Sequence, residues 1–296
     1  MATRHQNPEK LPGAAAPESA VEEVAGEVVE AFEEAGELSV RVARGVVIGT
    51  LSYLGEVGAL LGQAVRALRR GVHLGDLVRQ MAVIGVDSIP IALLTVGFSG
   101  AVLALYSVGT LQAYGASNLV GGIVAVSIVK ETGPILTGVA LASRAGSAMT
   151  AEIASMKVSE QIDALRSMAI SPIEYLVAPR LLACLIMLPV VCLCADAAGV
   201  AGGGVVASSL GVSSGEYAAS IRQILRPDGS DVYKGLIKTV VFGAIIAVVA
   251  CREGLGTEGG ATGVGQSTTR SVVLSIVLVF IANFLLSFLM FGGGLL

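Results

Sequence analysis

The sequence has no tryptophan, only two histidines, and only 14% charged residues over its 296 positions. His5 and His73 lie far apart and near no cysteine or carboxylate cluster, so we expect no metal site. The four cysteines form no CxxC pair, and three of them lie within one apolar run, so they do not predict a disulfide framework. We therefore expect no catalytic residues in this chain.

The sequence also lacks a Walker A motif. None of the five lysines follows a glycine, so the pattern GxxxxGK[ST] cannot occur. If ATP drives the function of this protein, another chain must hydrolyse it.

What the chain does have is apolar residues: 54% of its positions are hydrophobic, and 38 are glycine. A water-soluble domain of this size could hardly bury so much apolar surface, so the composition predicts an integral membrane protein. Abundant glycine favours close helix packing in lipid. The net charge of −4 comes largely from the N-terminal region and does not indicate nucleic-acid binding.

Residues 1–37 form an acidic N-terminal extension in which Glu18 to Glu37 contains eight glutamates and no basic residue. Apolar residues recur there at helical spacing, which fits either a solvated tail or a helix that docks on a basic partner. Residues 38–87 mix leucine and valine with arginine, which favours an amphipathic helical region at the cytoplasmic membrane interface. The stretch Gly45 to Val65 is nevertheless long enough to span a bilayer.

Residues 88–296 form the membrane domain, in which five apolar runs predict transmembrane helices. The predicted spans are Ser88–Leu111, Ile123–Ala145, Leu181–Leu210, Val232–Cys251 and Ser271–Phe291. Arginines precede the first span and basic residues gather after the second, so the positive-inside rule predicts a cytoplasmic N-terminus and an external C-terminus. Parity with these loops makes Gly211 to Asp231 an outer polar loop, although four basic residues in and just after it strain the charge rule, and makes Arg252 to Arg270 a cytoplasmic glycine-rich loop.

Several charged residues lie inside these spans, where each costs a few kcal/mol or more. They are Lys130, Glu131, Asp196, Lys234 and Lys238. The adjacent pair Lys130 and Glu131 could find partners in Asp196, Lys234 or Lys238, either to fix helix packing or to line a polar substrate path. We expect Arg144 to reach the headgroups. Gly199 and Gly203 have the GxxxG spacing of a helix contact face.

The segment Ala151 to Arg180 is polar and lies between two apolar runs. Val158, Ile162, Leu165 and Ala169 have helical spacing, and Ser171–Pro172 ends the pattern. This predicts an amphipathic helix on the inner membrane surface. It is either a simple connector or a docking element for a soluble ATPase.

The sequence KETGPILTGVALASRAGSAMTAEIASMKVSEQIDALRSMAISPIEYLVAPRLLA resembles the signature of MlaE/YrbE-type permeases, the membrane subunits of ABC lipid transporters associated with MCE-domain proteins. The segment GLGTEGGATGVGQSTTRSVVLSIVLVFIANFLLSFLMFG is similar to the same family. The resemblance covers roughly Tyr53 to Gly292 and leaves out the acidic extension.

The resemblance implies a homodimer of all-α subunits in the bacterial inner membrane, each with an interfacial N-terminal helix, five transmembrane helices and a cytoplasmic coupling helix between spans two and three. It further implies a cytoplasmic ABC ATPase dimer that binds ATP and Mg, a periplasmic MCE-domain hexamer, and phospholipid in a cavity at the dimer interface. The ATPase-facing set would be Glu152, Met156, Lys157, Glu160, Asp163 and Arg166. Glu131, Lys234 and Lys238 would belong to the lipid pathway.

The sequence therefore predicts the permease subunit of an ATP-driven phospholipid transporter. Two alternatives remain open at this point. One is a self-sufficient secondary transporter that uses Lys130, Glu131 and Asp196 as an ion relay, and the other is a membrane scaffold that transports nothing.

Overall fold

The computed structural model describes residues 48–49, 51–226 and 228–291, with the side chain of Phe291 left out. The acidic extension 1–37 and residues 38–47 of the predicted interfacial region lie outside the described residues. The chain separates into two compact units, Met1–Glu56 and Val57–Leu296. All contacts given below lie within Val57–Leu296.

The described part of the chain is helical and contains no β-strand. The helices are α1 (51–68), α2 (Leu74–Ile84), α3 (Ile89–Ala113), α4 (Val120–Ser127), α5 (Gly133–Leu141), α6 (Ser147–Val158), α7 (Gln161–Ser167), α8 (Ala178–Ser209), α9 (Ser214–Ile224), α10 (Ser230–Leu255) and α11 (Gly260–Phe291). Three π turns interrupt them: a first at Ile128–Thr132, a second at Ala142–Gly146 and a third at Ile173–Val177.

Within the described residues, five helical segments are long and apolar enough to cross a bilayer, which confirms the predicted all-α fold with five spans. They are Leu74–Ala113, Ser117–Val158, Ile173–Ser209, Ser230–Leu255 and Gly260–Met290. These segments are longer than the predicted apolar runs because polar turns of the same helices extend beyond them. The first begins at Leu74 rather than Ser88, since a 3₁₀ turn at Val86–Ser88 joins α2 directly to α3.

The predicted single amphipathic helix through Val158 and Ala169 is wrong, because the chain breaks between α6 and α7. Glu160 has a left-handed backbone with φ of 60°, and Ala169, just after α7, has φ of 59°. The Ser159 hydroxyl donates to the Ser155 carbonyl at 2.7 Å and accepts from the Gln161 amide at 3.0 Å, so side chains compete with the helical ladder there. The seven-residue helix α7 is thus set off from α6 by a sharp turn.

The predicted polar loop from Gly211 to Asp231 contains a helix, α9, which the sequence analysis missed. It begins with a capping box, in which the Glu216 carboxylate accepts from the Ser213 amide at 3.3 Å. Ser213 is the central residue of a GxSxG pattern that is typical of serine hydrolases, but here it is a helix cap, and no strand precedes it in the described chain. Tyr217 is buried, which raises the pKa of its phenol to about 12, and its hydroxyl donates to the Val200 carbonyl at 3.0 Å.

The core of the domain depends on a close approach of α3 and α8. A Cβ added to Gly100 would lie 2.1 Å from the carbonyl oxygen of Gly199, closer than any side chain permits. The face of α3 that meets α8 carries small residues at every fourth position, which brings the two backbones together. The surface along which α3 and α8 pack is therefore largely backbone and methyl groups.

Candidate functional site

The first π turn presents Lys130 and Glu131 in the middle of the second span. Pro134 follows it and has no N–H, so the Lys130 carbonyl, four residues earlier, lacks its usual helical donor. Lys238 of α10 supplies a replacement, since its Nζ donates to that carbonyl at 2.8 Å. Single π turns of this kind are frequent at functional sites.

The Lys238 ammonium has three N–H donors and three acceptors within 2.8 Å. Besides the Lys130 carbonyl, these are the Glu131 Oε1 and the Ser287 Oγ, each at 2.7 Å. Lys238 is fully buried, whereas the Glu131 side chain is 44% exposed. Short, charge-assisted bonds of this type offset much of the cost of burying an ammonium.

Glu131 receives further donors from α11. The Ser287 hydroxyl donates to its Oε1 at 2.6 Å and the Asn283 amide to its Oε2 at 2.9 Å. The carboxylate therefore joins the second, fourth and fifth spans, and part of it remains open to the surroundings of the subunit.

Lys130 points to the start of α10, where its Nζ lies 2.9 Å from Asp231 Oδ1. Asp231 is 2% exposed and also accepts from the Arg226 amide at 3.3 Å. The backbones approach closely here too, because a Cβ on Gly235 would lie 2.2 Å from the Val129 carbonyl oxygen. The polar cluster, as we call it, consists of Lys130, Glu131, Asp231, Lys238, Asn283 and Ser287, and its two cations balance its two carboxylates.

A second polar region is the connector, residues 159–172, which contains α7. Asp163 accepts ion pairs from Lys157 at 3.3 Å and from Arg166 at 3.0 Å, all on exposed or half-exposed side chains. Exposed pairs contribute little stability, about 0–1 kcal/mol each. The connector therefore presents a charged, accessible surface, while Ile162 on the other side of α7 is buried in the core.

Comparison with known proteins decides what these two regions belong to. Residues 77–289 match the family described as Permease MlaE. The chain belongs to the MlaE permease family. It is therefore a multi-pass membrane protein and a permease of an ABC-type transport system, a transport subunit rather than an enzyme.

Three relatives illustrate the range of the family. A probable ABC transporter permease protein of Synechocystis sp. is 42% identical over 236 residues, which are 79% of this chain and 89% of the relative. The intermembrane phospholipid transport system permease protein MlaE of Haemophilus influenzae is 37% identical over 250 residues, 84% of this chain and 95% of the relative. The chloroplastic protein TRIGALACTOSYLDIACYLGLYCEROL 1 of Arabidopsis thaliana is 38% identical over 220 residues, 74% of this chain and 62% of the relative.

The permease brings together only some of the intramembrane charges that the sequence singled out. Lys130, Glu131 and Lys238 lie in the polar cluster, and the Lys234 Nζ lies 3.5 Å from the Met290 carbonyl. Asp196 lies on α8, beside the first π turn, and its Oδ1 is only 1.6 Å from the position that a Cβ on Gly133 would take. Its Oδ2 accepts a weak bond from the Cys192 thiol at 3.6 Å, and it forms no ion pair within the described residues.

The predicted ATPase-facing residues of the permease fall into different environments. Lys157, Asp163 and Arg166 form the exposed ion pairs of the connector, and Glu160 occupies the left-handed turn before α7. Met156 is partly buried and packs against the core. Glu152 pairs with Arg180 of α8, with 2.7 Å between Oε2 and Nη2.

Sequence reasoning missed the partners of two residues that the structure makes prominent. Asp231 was taken as the end of an outer loop, although it pairs with Lys130. Arg180 was taken as a boundary charge, although it is buried. Arg144, which we expected to reach the headgroups, binds the α2–α3 junction through the Val83 carbonyl at 2.9 Å and the Asp87 carboxylate at 3.2 Å.

The glycines predicted as a contact face lie on α8 against α3 and α4. A Cβ on Gly199 would lie 2.9 Å from a Val96 methyl, and one on Gly203 would lie 2.8 Å from the Tyr217 hydroxyl and 2.9 Å from a Val124 methyl. A side chain at either position would have to displace these neighbours.

Proposed function

We propose that this permease moves phospholipid across or out of a bacterial inner membrane, driven by ATP hydrolysis on a separate ABC ATPase. The observation that carries the proposal is the polar cluster, which holds the half-exposed Glu131 carboxylate among apolar spans. A polar group that is costly to bury in lipid and yet partly open is typical of a substrate path. The Haemophilus relative, named as a phospholipid transport permease, supports the choice of substrate.

In this proposal the polar cluster handles the headgroup while the apolar spans face the acyl chains. The ammonium of Lys238 and the amide of Asn283 already donate to Glu131, so a lipid phosphate arriving there would compete with that carboxylate for the same donors. Lys234, whose Nζ lies near the Met290 carbonyl, would extend the polar path along α10. The cluster would thus exchange internal partners for the headgroup and recover them on release.

The connector is the proposed docking site of the ATPase. Its charges lie on exposed side chains around a short helix that left-handed residues set off at both ends. ATP and Mg would bind on the ATPase dimer, since this chain has no Walker A motif. ATP-driven closure of that dimer would move the connectors and alternately open and collapse the lipid cavity.

The remaining parts of the proposed assembly follow the family resemblance. Two copies of the permease would form a homodimer with the lipid cavity at their interface, and an MCE-domain hexamer would sit on the periplasmic face. The N-terminus would be cytoplasmic and the C-terminus periplasmic, in line with the distribution of arginines before the first span.

Reconstitution tests the proposal. The permease is purified from its own host, the accompanying chains and lipids are identified by mass spectrometry, and the complex is placed in vesicles with fluorescent phospholipid. We expect an ATPase to co-purify and ATP to drive lipid transfer. Lipid movement that follows an ion gradient without any ATPase would favour a secondary transporter, and protein that carries no lipid would favour a scaffold.

A further inference from the structure

Arg180 is an unusual residue because it is an arginine with almost no exposure. Its side chain is 3% exposed at the beginning of α8, directly after the third π turn. Arginine is rarely buried so completely unless it is paired. Its Nη1 donates to the Leu176 carbonyl at 2.8 Å and its Nη2 pairs with Glu152 at 2.7 Å, while its Nε has no hydrogen-bond partner within the described residues.

Glu152 lies on α6, the last turns of the second span before the connector. Its side chain is 55% exposed, so only its carboxylate end is held by Arg180. The opposite side of α6 is tied to other spans, since the Thr150 hydroxyl lies 3.2 Å from the Ala250 carbonyl and 2.8 Å from the Ser271 hydroxyl. The ion pair is thus a polar contact that ties α6 to the third span.

The Glu152–Arg180 pair joins the two helices that flank the connector. The connector leaves α6 after Val158 and returns to the third span at Ile173. The Glu152–Arg180 pair joins the two helices near the point where the connector leaves and re-enters the bundle. A force that displaces the connector therefore acts on both helices, which this pair links.

We propose that the Glu152–Arg180 pair is the positioning element that makes α6 and α8 respond together when the connector is displaced. The inference rests on the proposed function, in which an ATPase displaces the connector. Arg180 suits the role better than lysine would, because its planar fork holds the Leu176 carbonyl and the Glu152 carboxylate in one fixed geometry. Neither residue needs to touch the ATPase or the lipid.

The test uses the intact permease complex in vesicles with variants Arg180→Met, Arg180→Lys and Glu152→Gln. Arg180→Met retains the apolar stem and leaves behind a half-exposed carboxylate, so it is the variant that should fold best. The matched control is Glu174→Gln, which removes the carboxylate of the exposed Arg70–Glu174 pair at the same end of the third span. Lipid transferred per ATP hydrolysed is measured for each.

We expect both Arg180 variants to keep ATPase binding and ATP hydrolysis while the lipid transferred per ATP falls about five-fold or more, the scale of a typical coupling energy. The ratio should fall in Glu152→Gln as well. The lysine in Arg180→Lys should not restore the amount of lipid transferred per ATP, and Glu174→Gln should transfer as much lipid per ATP as the wild type. An unchanged ratio in Arg180→Met overturns the inference. Loss of the ATPase from the complex also overturns it, because the pair would then serve docking.

A second measurement separates this inference from the proposed substrate. Hydrogen exchange is followed in 147–158 and 178–183 before and after nucleotide is added to the complex. In the wild type both segments should change, whereas in Arg180→Met only 147–158 should. If the two proteins differ in this way but the wild type moves no phospholipid, the proposed substrate is wrong and the inference stands. If both segments still change in Arg180→Met, the inference is wrong whatever the substrate is.

Discussion

Lys238 Nζ lies 2.8 Å from the carbonyl oxygen of Lys130, the carbonyl that Pro134 leaves without a helical donor. A side chain of the fourth span therefore completes the hydrogen bonding of the second. The same ammonium binds the Glu131 carboxylate, so backbone geometry and side-chain charge are fixed by one group. Most of the predictions that follow depend on such connections between neighbouring spans.

Removing either partner of the Glu131–Lys238 pair should have unequal effects on stability. Glu131→Ala leaves a fully buried ammonium without its carboxylate, which costs about 3–5 kcal/mol. Lys238→Met leaves a half-exposed carboxylate that still accepts from Ser287 and Asn283, which costs about 1–2 kcal/mol. Because the chain has no tryptophan, thermal unfolding is followed with a dye that reacts with the buried cysteines Cys184, Cys192 and Cys251. Equal losses in Tm would contradict this account.

Substitution of two glycines in α3 should distinguish close packing from helix propensity. Gly100→Ala places a methyl group 2.1 Å from the Gly199 carbonyl oxygen, so the helices must separate, at about 1–3 kcal/mol. Gly109→Ala has open space within 4 Å and should be neutral or stabilise by up to about 1 kcal/mol. The Tm of each variant is measured in detergent. A Gly100→Ala protein as stable as Gly109→Ala would show that α3 and α8 do not approach so closely.

Replacing Pro134 should alter transport more than stability. Pro134→Ala restores an N–H that can bond the Lys130 carbonyl, so the helix competes with Lys238 for that acceptor. We expect a folded protein whose lipid transfer is reduced several-fold because the first π turn no longer holds Glu131 in place. Pro90→Ala is the control, since Pro90 lies in the first turn of α3, where no N–H is needed. Equal transport rates for the two variants would contradict a role for the π turn.

Neutralising the connector should reduce stimulation of the ATPase without unfolding the spans. In the double variant, Asp163→Ala removes the carboxylate that pairs with Lys157 and Arg166, and Glu160→Ala removes a neighbouring exposed charge. Glutamate and alanine both carry a Cβ and so bear the same strain of about 1–2 kcal/mol at the left-handed position 160, which glycine relieves; Glu160→Gly with Asp163→Ala is therefore the matched variant. Both double variants should lose stimulation to the same extent. Unchanged lipid transport in both would contradict ATPase docking at the connector.

The sequence predicted the number and type of spans because a bilayer imposes a single demand on each, about 20 apolar residues. It also identified Lys130, Glu131 and Lys238, since charges stand out within apolar runs. These features are local, and no tertiary contact is needed to recognise them.

The remaining features depend on which helices meet. Asp231 lies beyond an apolar run and becomes a partner of Lys130 only because Gly235 lets α10 approach the first π turn. Arg180 has the same appearance in the sequence as a headgroup-binding arginine, and only the fold places Glu152 beside it. The left-handed turn at Glu160 was hidden because helical spacing continues across it. Asp231 and Arg180 depend on contacts between segments that are distant in the sequence. The turn at Glu160 depends on a backbone angle that the spacing of apolar residues does not reveal.

The three π turns have a genetic consequence. Each contains one residue more than an α-helix needs over the same length, as if a single codon had been inserted. Deleting one codon within Ile128–Thr132 would restore a regular helix and keep the flanking turns close to their present faces, but it would remove the widened turn that presents Lys130 and Glu131. Single-codon deletions at these three places should therefore disturb the fold less than single-codon deletions elsewhere in the same spans, which turn the following residues by about 100°.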